Sequence, residues 1–208
     1  MDNYVITIAR GFGSGGKEIG NLLSEELGIP CYEREILDMA SSKTGLNVGV
    51  FDLVDEKLRK EAILKNIVSA KVEYAVEPSS KSFTADNNLY HVQAEIIRTL
   101  ADTQSCIIVG KCADYILRNR SNVVSVYIEA PRAACLKSVM AKLNVSEKEA
   151  HKLISKTDKY RAKYYKYYTG GHVWTDPINF DITLNSDRVG REGCVDIIKH
   201  YVYEKFQL

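Results

Sequence analysis

The chain has 208 residues, of which 45% are hydrophobic and 26% charged, a composition that predicts one folded domain and excludes a disordered or repetitive protein. Its 28 basic and 27 acidic residues leave a net charge of +1, which excludes a global field steering the protein onto nucleic acid or a membrane. We find no secretory-type start and no apolar run near the roughly 20 residues that span a bilayer, so we expect a cytoplasmic protein.

Short apolar runs alternate with helical patterns along the chain. A helix over 17–27 follows the first run, a mostly helical insertion covers 33–104, and a second helical block covers 131–168. Strands separated by helices predict an α/β fold with a five-stranded parallel sheet covered on both faces. The predicted strands are 4–9, 28–32, 106–110, 123–130 and 180–185.

The cysteines and histidines are scattered. The five cysteines form no C-x-x-C pair, and the four histidines have no ligand spacing. We therefore expect reduced, buried thiols and no structural zinc.

A glycine-rich stretch, GFGSGGKE at 11–18, separates the first strand from its helix. It fits the pattern G-x-x-x-x-G-K, in which backbone N–H groups and a helix N-terminus surround phosphates and the lysine reaches the outer phosphates. We expect the stretch to bind ATP, with Mg²⁺ held at the following position. That position is normally Ser or Thr, and here it is Glu18. The predicted loop residues are Gly11, Phe12, Gly13, Ser14, Gly15, Gly16 and Lys17.

Two other interpretations of the glycines stay open at this stage. The same residues satisfy G-x-G-x-x-G, and Glu33 follows where a dinucleotide-binding fold has its ribose-binding acid. Against a dehydrogenase, the Tyr-x-x-x-Lys pair in the sequence, Tyr201 and Lys205, lies at the extreme C-terminus. A turn without a ligand is the third interpretation, which so many free backbone donors disfavour.

A basic, tyrosine-rich segment lies at 152–168, KLISKTDKYRAKYYKYY, with six cations and one acid, Asp158. Three interpretations are a solvated helix face, a nucleic-acid surface, and a lid that closes over phosphates. The phosphate loop in the same chain favours the lid, because phosphoryl transfer depends on cations around the transferred group, and makes nucleic acid the weaker interpretation. Lys111 and Arg132 each follow a strand at the carboxyl edge of the sheet, where ligands bind in such folds.

Five stretches together resemble the cytidylate kinase-like family of nucleoside monophosphate kinases. The resemblance covers most of the chain outside about 45–88, and it implies a phosphate-loop kinase fold with one domain over 1–208. It also implies an acceptor-binding lobe within 33–104 and a helical lid within 146–176. The stretches are ITIARGFGSGGKEIGNLLSEELGIPCYEREIL, IIVGKCADYIL, VYIEAPRAACLKSVM, DKYRAKYYKYYTG and NFDITLNSD.

The resemblance also implies roles for single residues. The loop through Lys17 would hold the donor phosphates, and the D-x-x-R pair Asp158 and Arg161 would act from the lid, with the arginine reaching the transferring phosphoryl. The expected acceptor-binding residues are Glu33, Arg34, Lys111, Asp114 and Arg132.

Several positions depart from the family pattern. Glu18 replaces the metal-binding hydroxyl, and Lys111 replaces the arginine of a G-R-D motif, from whose aspartate Asp114 is displaced by two positions. Ile154 stands where a second lid arginine is expected, and the segment 45–88 does not resemble the acceptor domain of true cytidylate kinases.

These observations predict a kinase that uses ATP and Mg²⁺. Its acceptor is provisionally a nucleoside monophosphate such as CMP. The alternatives are a nucleotide-binding protein of the same fold with lost or redirected catalysis, and a nucleic-acid-associated domain. The sequence does not indicate an oligomeric state.

Overall fold

A computed structural model describes residues 3–44 and 85–208 of the chain. The predicted acceptor lobe, 33–104, is therefore described only at its two ends. Its middle, 45–84, lies outside the described residues.

Five parallel strands form one sheet in the order β2-β3-β1-β4-β5. This confirms the predicted five-stranded parallel sheet. The order differs from the 3-2-1-4-5-6 arrangement of dinucleotide-binding folds, which argues against the dehydrogenase interpretation. The strands are Val5–Arg10 (β1), Cys31–Tyr32 (β2), Cys106–Val109 (β3), Val123–Glu129 (β4) and Ile182–Asn185 (β5).

Helices cover both faces of the sheet, and none of those described is long and apolar enough to cross a membrane. A short 3₁₀ helix, Pro177–Asn179, precedes β5. The described α-helices are Gly16–Leu27 (α1), Glu35–Thr44 (α2), Ala85–Thr103 (α3), Ala113–Ile116 (α4), Arg132–Leu143 (α5), Glu147–Tyr168 (α6), Ser186–Val189 (α7) and Arg191–Phe206 (α8).

Side chains of the central strand alternate between two hydrophobic cores. Ile6 and Ile8 of β1 pack with α1 and α8, whereas Val5 packs on the opposite face with α2 and α3. Successive side chains of a strand point to opposite faces, so a strand buried on both sides must be apolar at almost every position. The run YVITIA meets that requirement.

The predicted boundaries hold best where local chemistry sets them. The Ser146 hydroxyl accepts from the Glu149 N–H and the Glu149 carboxylate accepts from the Ser146 N–H, so the predicted capping box begins α6. The second strand is shorter than predicted and begins at Cys31, because Gly28 ends α1 in a left-handed conformation with φ of 65°.

Candidate active site

The glycine loop joins β1 to α1 and lies against β4. Gly13 and Gly15 have φ values of 90° and 85°, which side-chain-bearing residues rarely adopt. A Cβ on Gly13 would lie 2.8 Å from the carbonyl oxygen of Cys135. The buried Ser14 hydroxyl lies 2.9 Å and 3.0 Å from the carbonyl oxygens of Gly11 and Ile128, so it fixes the loop shape.

One carboxylate joins the two cations that flank the loop. Glu33, directly after β2, has one oxygen 2.9 Å from Nη2 of Arg10 and the other in an ion pair with Nζ of Lys17. Burial alone would raise the pKa of Glu33, but Arg10 and Lys17 outweigh it and lower the pKa to about 2. Glu33 is therefore ionised at physiological pH and holds the loop lysine.

Helix α6 rests on the glycine loop through the two residues of the D-x-x-R pattern. Oδ1 of Asp158 accepts a 2.8 Å hydrogen bond from the N–H of Phe12. Nη1 of Arg161 donates to the carbonyl oxygen of Arg10 across 3.2 Å, and its guanidinium carbon lies 5.6 Å from the centre of the Phe12 ring. The structure thus brings both predicted lid residues to the predicted phosphate loop.

A cleft opens beside the loop, between the carboxyl ends of β1 and β3 and helix α6. Its charged lining residues are Arg10, Lys111, Asp114 and Arg161. Its aromatic lining residues are Tyr160, Tyr164, Tyr165 and Trp174. A lining that combines cations with aromatic rings suits a ligand with an anionic group and a ring.

The turn after β3 carries unusual backbone strain. Gly110, Lys111 and Cys112 have consecutive positive φ values of 81°, 61° and 54°. Side-chain-bearing residues in this conformation are strained and cluster at functional sites. Lys111 is only 8% exposed, and this turn brings it to the cleft as the sequence predicted.

Asp114 lies at the base of the cleft. Its Oδ2 accepts a hydrogen bond from the Tyr165 hydroxyl across 2.7 Å. Burial raises the pKa of Asp114 to about 6, and the hydrogen bond from Tyr165 opposes that rise.

Comparisons with known proteins concern the family and the fold. The model of the cytidylate kinase-like family matches residues 5–188. The chain belongs to the cytidylate kinase-like family. None of the curated proteins compared with the chain matched it significantly.

Solved structures share the fold of this cytidylate kinase-like chain. An uncharacterized protein from Eubacterium ventriosum is 26% identical, with 96% of this chain and 98% of that chain covered and a TM-score of 0.68. A shikimate kinase from Acinetobacter baumannii in complex with shikimate is 14% identical, with 97% and 94% covered and a TM-score of 0.52. The second likeness concerns the fold alone, which is the predicted phosphate-loop kinase fold.

Three predicted acceptor residues of this cytidylate kinase-like protein, Glu33, Arg34 and Arg132, are not among the described residues that line the cleft. Glu33 instead holds Arg10 and Lys17. Arg34 is exposed, directly before α2. Nη2 of Arg132 instead donates to the carbonyl oxygen of His151 at 2.9 Å and to Oγ of Ser155 at 2.6 Å. Arg132 is therefore at the predicted sheet edge, but its side chain joins α5 to α6.

Glu18 and Ile154, the departures from the family pattern, each have a local partner. Glu18 pairs with Lys142 of α5, which outweighs the effect of burial and lowers the pKa of Glu18. Ile154 is 1% exposed and packs with Cys135 and Val139 of α5. An arginine at 154 would place its charge in this hydrophobic cluster, which is costly.

Two charged residues at the site were missed by the sequence analysis, Arg10 and Glu129. Glu129 ends β4 and accepts hydrogen bonds from the Tyr127 hydroxyl at 2.6 Å and the Ala130 N–H at 3.0 Å. A Cβ on Gly11 would lie 2.3 Å from Oε1 of Glu129, so this acid presses on the first glycine of the loop. The sequence did contain a signal for both residues. Each is the single charged residue at the end of a predicted strand, YVITIAR or VVSVYIE.

Proposed function

We propose that this chain transfers the terminal phosphoryl group of ATP to a small acceptor, provisionally a nucleoside monophosphate such as CMP. One observation carries the proposal: helix α6 contacts the glycine loop through Asp158 and Arg161 and lines the neighbouring cleft through Tyr164 and Tyr165. A single element thus joins the donor side to the acceptor side, as transfer between two bound substrates requires.

The donor side is the glycine loop. Its backbone N–H groups, the N-terminus of α1 and Lys17 would surround the outer phosphates. Lys17 must exchange its ion pair with Glu33 for those phosphates. Arg161, already at the loop, would stabilise the charge on the transferring group.

The acceptor side is the cleft. Lys111 would contact an anionic group of the acceptor, and the tyrosines and Trp174 would contact a planar ring. A nucleotide has both groups. These features support a nucleoside monophosphate over a sugar or a simple alcohol.

The residues at the loop fit Mg²⁺ in a limited way. Mg²⁺ is usually held by one or two carboxylates together with substrate phosphates, so the absence of a three-ligand cluster among the described residues is no obstacle. Glu18 would hold the metal once it leaves Lys142, since the Ser14 hydroxyl is committed to backbone carbonyl groups. When bound, the metal neutralises charge on the phosphate oxygens.

A nucleotide-binding protein with lost or redirected catalysis is the second candidate. The two polar pairs at the loop, Glu18 with Lys142 and Glu33 with Lys17, favour it, because both compete with nucleotide and metal. The nucleic-acid alternative is weaker, because Tyr164 and Tyr165 line the cleft and pack on neighbouring aromatic side chains, and so do not lie on the outer surface of α6 where a nucleic-acid strand would stack.

Titration calorimetry separates these candidates. The proposal expects ATP to bind, NAD and a short oligonucleotide not to bind, and CMP or a related monophosphate to bind when the donor side is filled. Lys17→Met should reduce ATP affinity by at least about tenfold, because it removes a charge-assisted contact to phosphate. Lys199→Met is the matched control. Lys199 forms an ion pair with Glu26 at 2.5 Å and is not among the described residues that line the cleft.

A screen of ATP against many acceptors then tests transfer. Turnover with a monophosphate supports the proposed kinase. ATP binding without any turnover would leave the binding protein as the function. NAD binding in place of ATP would overturn both.

A further inference from the structure

Arg10 stands where three strand ends meet. The order β2-β3-β1 sets Glu33, Lys111 and Arg10 beside one another, because each follows or ends one of these neighbouring parallel strands. Two of the three are cations, and the side chain of Arg10 is only 15% exposed. A nearly buried arginine at a ligand cleft requires a reason, since burying its charge is costly.

Gly110 gives the Arg10 guanidinium its place. A Cβ on Gly110 would lie 2.2 Å from Nη1 and 3.0 Å from Cζ of Arg10, so a side chain at 110 would have to displace the guanidinium. The guanidinium therefore lies over the end of β3, on the cleft side of the loop. Of the two cations that Glu33 holds, Arg10 lines the cleft, whereas Lys17 is not among its described lining residues.

Glu33 fixes the direction of the guanidinium. Its Oε1 accepts from Nη2 of Arg10 at 2.9 Å, and this is one of the five N–H donors that the planar group carries. An arginine held by one carboxylate keeps a preorganised fork for a second oxyanion, which a lysine does not offer.

The charges of the cleft suit such an anion. Its lining holds three cations, Arg10, Lys111 and Arg161, and one acid, Asp114. Lys111 and Arg161 reach the cleft from different elements, so an anion between them would be approached from several sides.

We propose that Arg10 binds the anionic phosphate group of the acceptor, with Glu33 and Gly110 as the positioning residues that hold its guanidinium over the end of β3. The proposal rests on the proposed kinase function and names the group that the acceptor must present. It also changes the role of Glu33, which was expected to bind the acceptor and is now proposed to position Arg10.

The test uses inorganic phosphate as the probe, with the full chain and its loop saturated by a non-hydrolysable ATP analogue. Phosphate binding is followed by ³¹P line broadening, and analogue binding by calorimetry. Arg10→Gln should weaken phosphate binding by at least about tenfold, because charge-assisted hydrogen bonds are lost, while analogue affinity changes by less than about threefold. The phosphate affinity of Arg10→Lys should lie between those of the wild type and Arg10→Gln, because lysine keeps the charge but lacks the planar group with several N–H donors.

Two further variants test the positioning. Gly110→Ala leaves every charge in place but displaces the guanidinium and strains a backbone whose φ is 81°, so it should weaken phosphate binding. The double variant Gly110→Ala/Arg10→Gln should bind phosphate no more weakly than Arg10→Gln if Gly110 acts through Arg10, and a further loss would contradict that role. Arg98→Gln, an exposed arginine on α3, is the matched control and should change neither affinity. Thermal melting of each variant identifies any loss of folding.

The outcomes are distinct. Wild-type phosphate affinity in Arg10→Gln, or no phosphate binding to the wild-type complex, overturns the role of Arg10 and leaves the kinase proposal standing. Equal losses of analogue and phosphate affinity would assign Arg10 to the donor side instead. Failure of the wild-type chain to bind the ATP analogue overturns the kinase function itself, and with it this inference.

Discussion

The Tyr165 hydroxyl donates a 2.7 Å hydrogen bond to Oδ2 of Asp114, so helices α6 and α4 meet at the cleft. The acid is buried and its pKa is raised to about 6. The pair therefore gains a full negative charge within the pH range where the protein would work.

Asp114→Asn should change how stability depends on pH. Because its pKa is raised, the folded protein binds more protons at this carboxyl than the unfolded chain between its ordinary pKa, ~4, and about 6, so wild-type stability falls as pH rises through this window. The variant lacks this fall and should gain up to ~3 kcal/mol relative to wild type by pH 7. Urea unfolding between pH 4 and pH 7 measures it. The exposed Asp196→Asn is the control, and parallel wild-type and Asp114→Asn profiles would contradict the raised pKa.

Arg161→Ala should lower turnover far more than it weakens ATP binding. The guanidinium rests on the loop backbone, where it would contact the phosphoryl group mainly as charge develops during transfer. We expect a loss of about 10²-fold or more in kcat, with ATP affinity changed by less than about threefold. Steady-state kinetics and calorimetry check this, with the exposed Lys163→Ala as the control from the same helix. Equal losses would identify a static binding residue.

Lys111→Ala should weaken acceptor binding and spare ATP binding, because the side chain enters the cleft from the end of β3. Lys111 has a φ of 61°, and an alanine at this position would keep the backbone strain of that conformation. Lys111→Gly removes the same charge and relieves the strain, so it separates the two effects. Acceptor KM and ATP Kd are measured for both variants. A loss of ATP affinity with unaltered acceptor affinity would reverse the assignment.

Glu18→Gln should weaken Mg²⁺ binding to the nucleotide complex if Glu18 holds the metal, whereas Glu18→Thr should roughly preserve it. Lys142→Met is a more direct test. It releases the carboxylate of Glu18 from its ion pair, so a metal-binding Glu18 should then bind Mg²⁺ a few times more tightly. Both partners are partly exposed, at 31% and 59%, so losing the pair should cost at most about 1 kcal/mol of stability. Mg²⁺ titrations of ATP-bound protein decide it. An unchanged requirement in Glu18→Gln would remove the metal role.

Local patterns made the loop, the sheet and the start of α6 predictable. Each depends on residues a few positions apart, such as the Ser146 and Glu149 box or the glycines of the loop. The contact of Asp158 with the Phe12 N–H joins positions 146 residues apart, and the Arg10 to Glu33 pair joins the ends of two strands that β3 separates in the sheet. The sequence supplied these residues, and only the folded topology supplied their partners.

Arg132 illustrates the limit of reasoning from strand ends. Its place after β4 was predictable, because parallel strands share a carboxyl edge. The direction of its side chain was decided by α6, whose His151 and Ser155 offer acceptors. A long side chain follows the nearest polar partners, and sequence position alone does not give them.

Helix α6 is secured at both ends of its length. Ile154 packs against α5, and Tyr165 packs into an aromatic cluster with Ala9 and Tyr127 of the sheet, so α6 is held both to α5 and to the sheet. Lifting α6 to admit a substrate would first have to release Tyr165 from this cluster. Gly170 and Gly171 follow the helix with φ values of 69° and 110°, which suit a bend that such a movement would require.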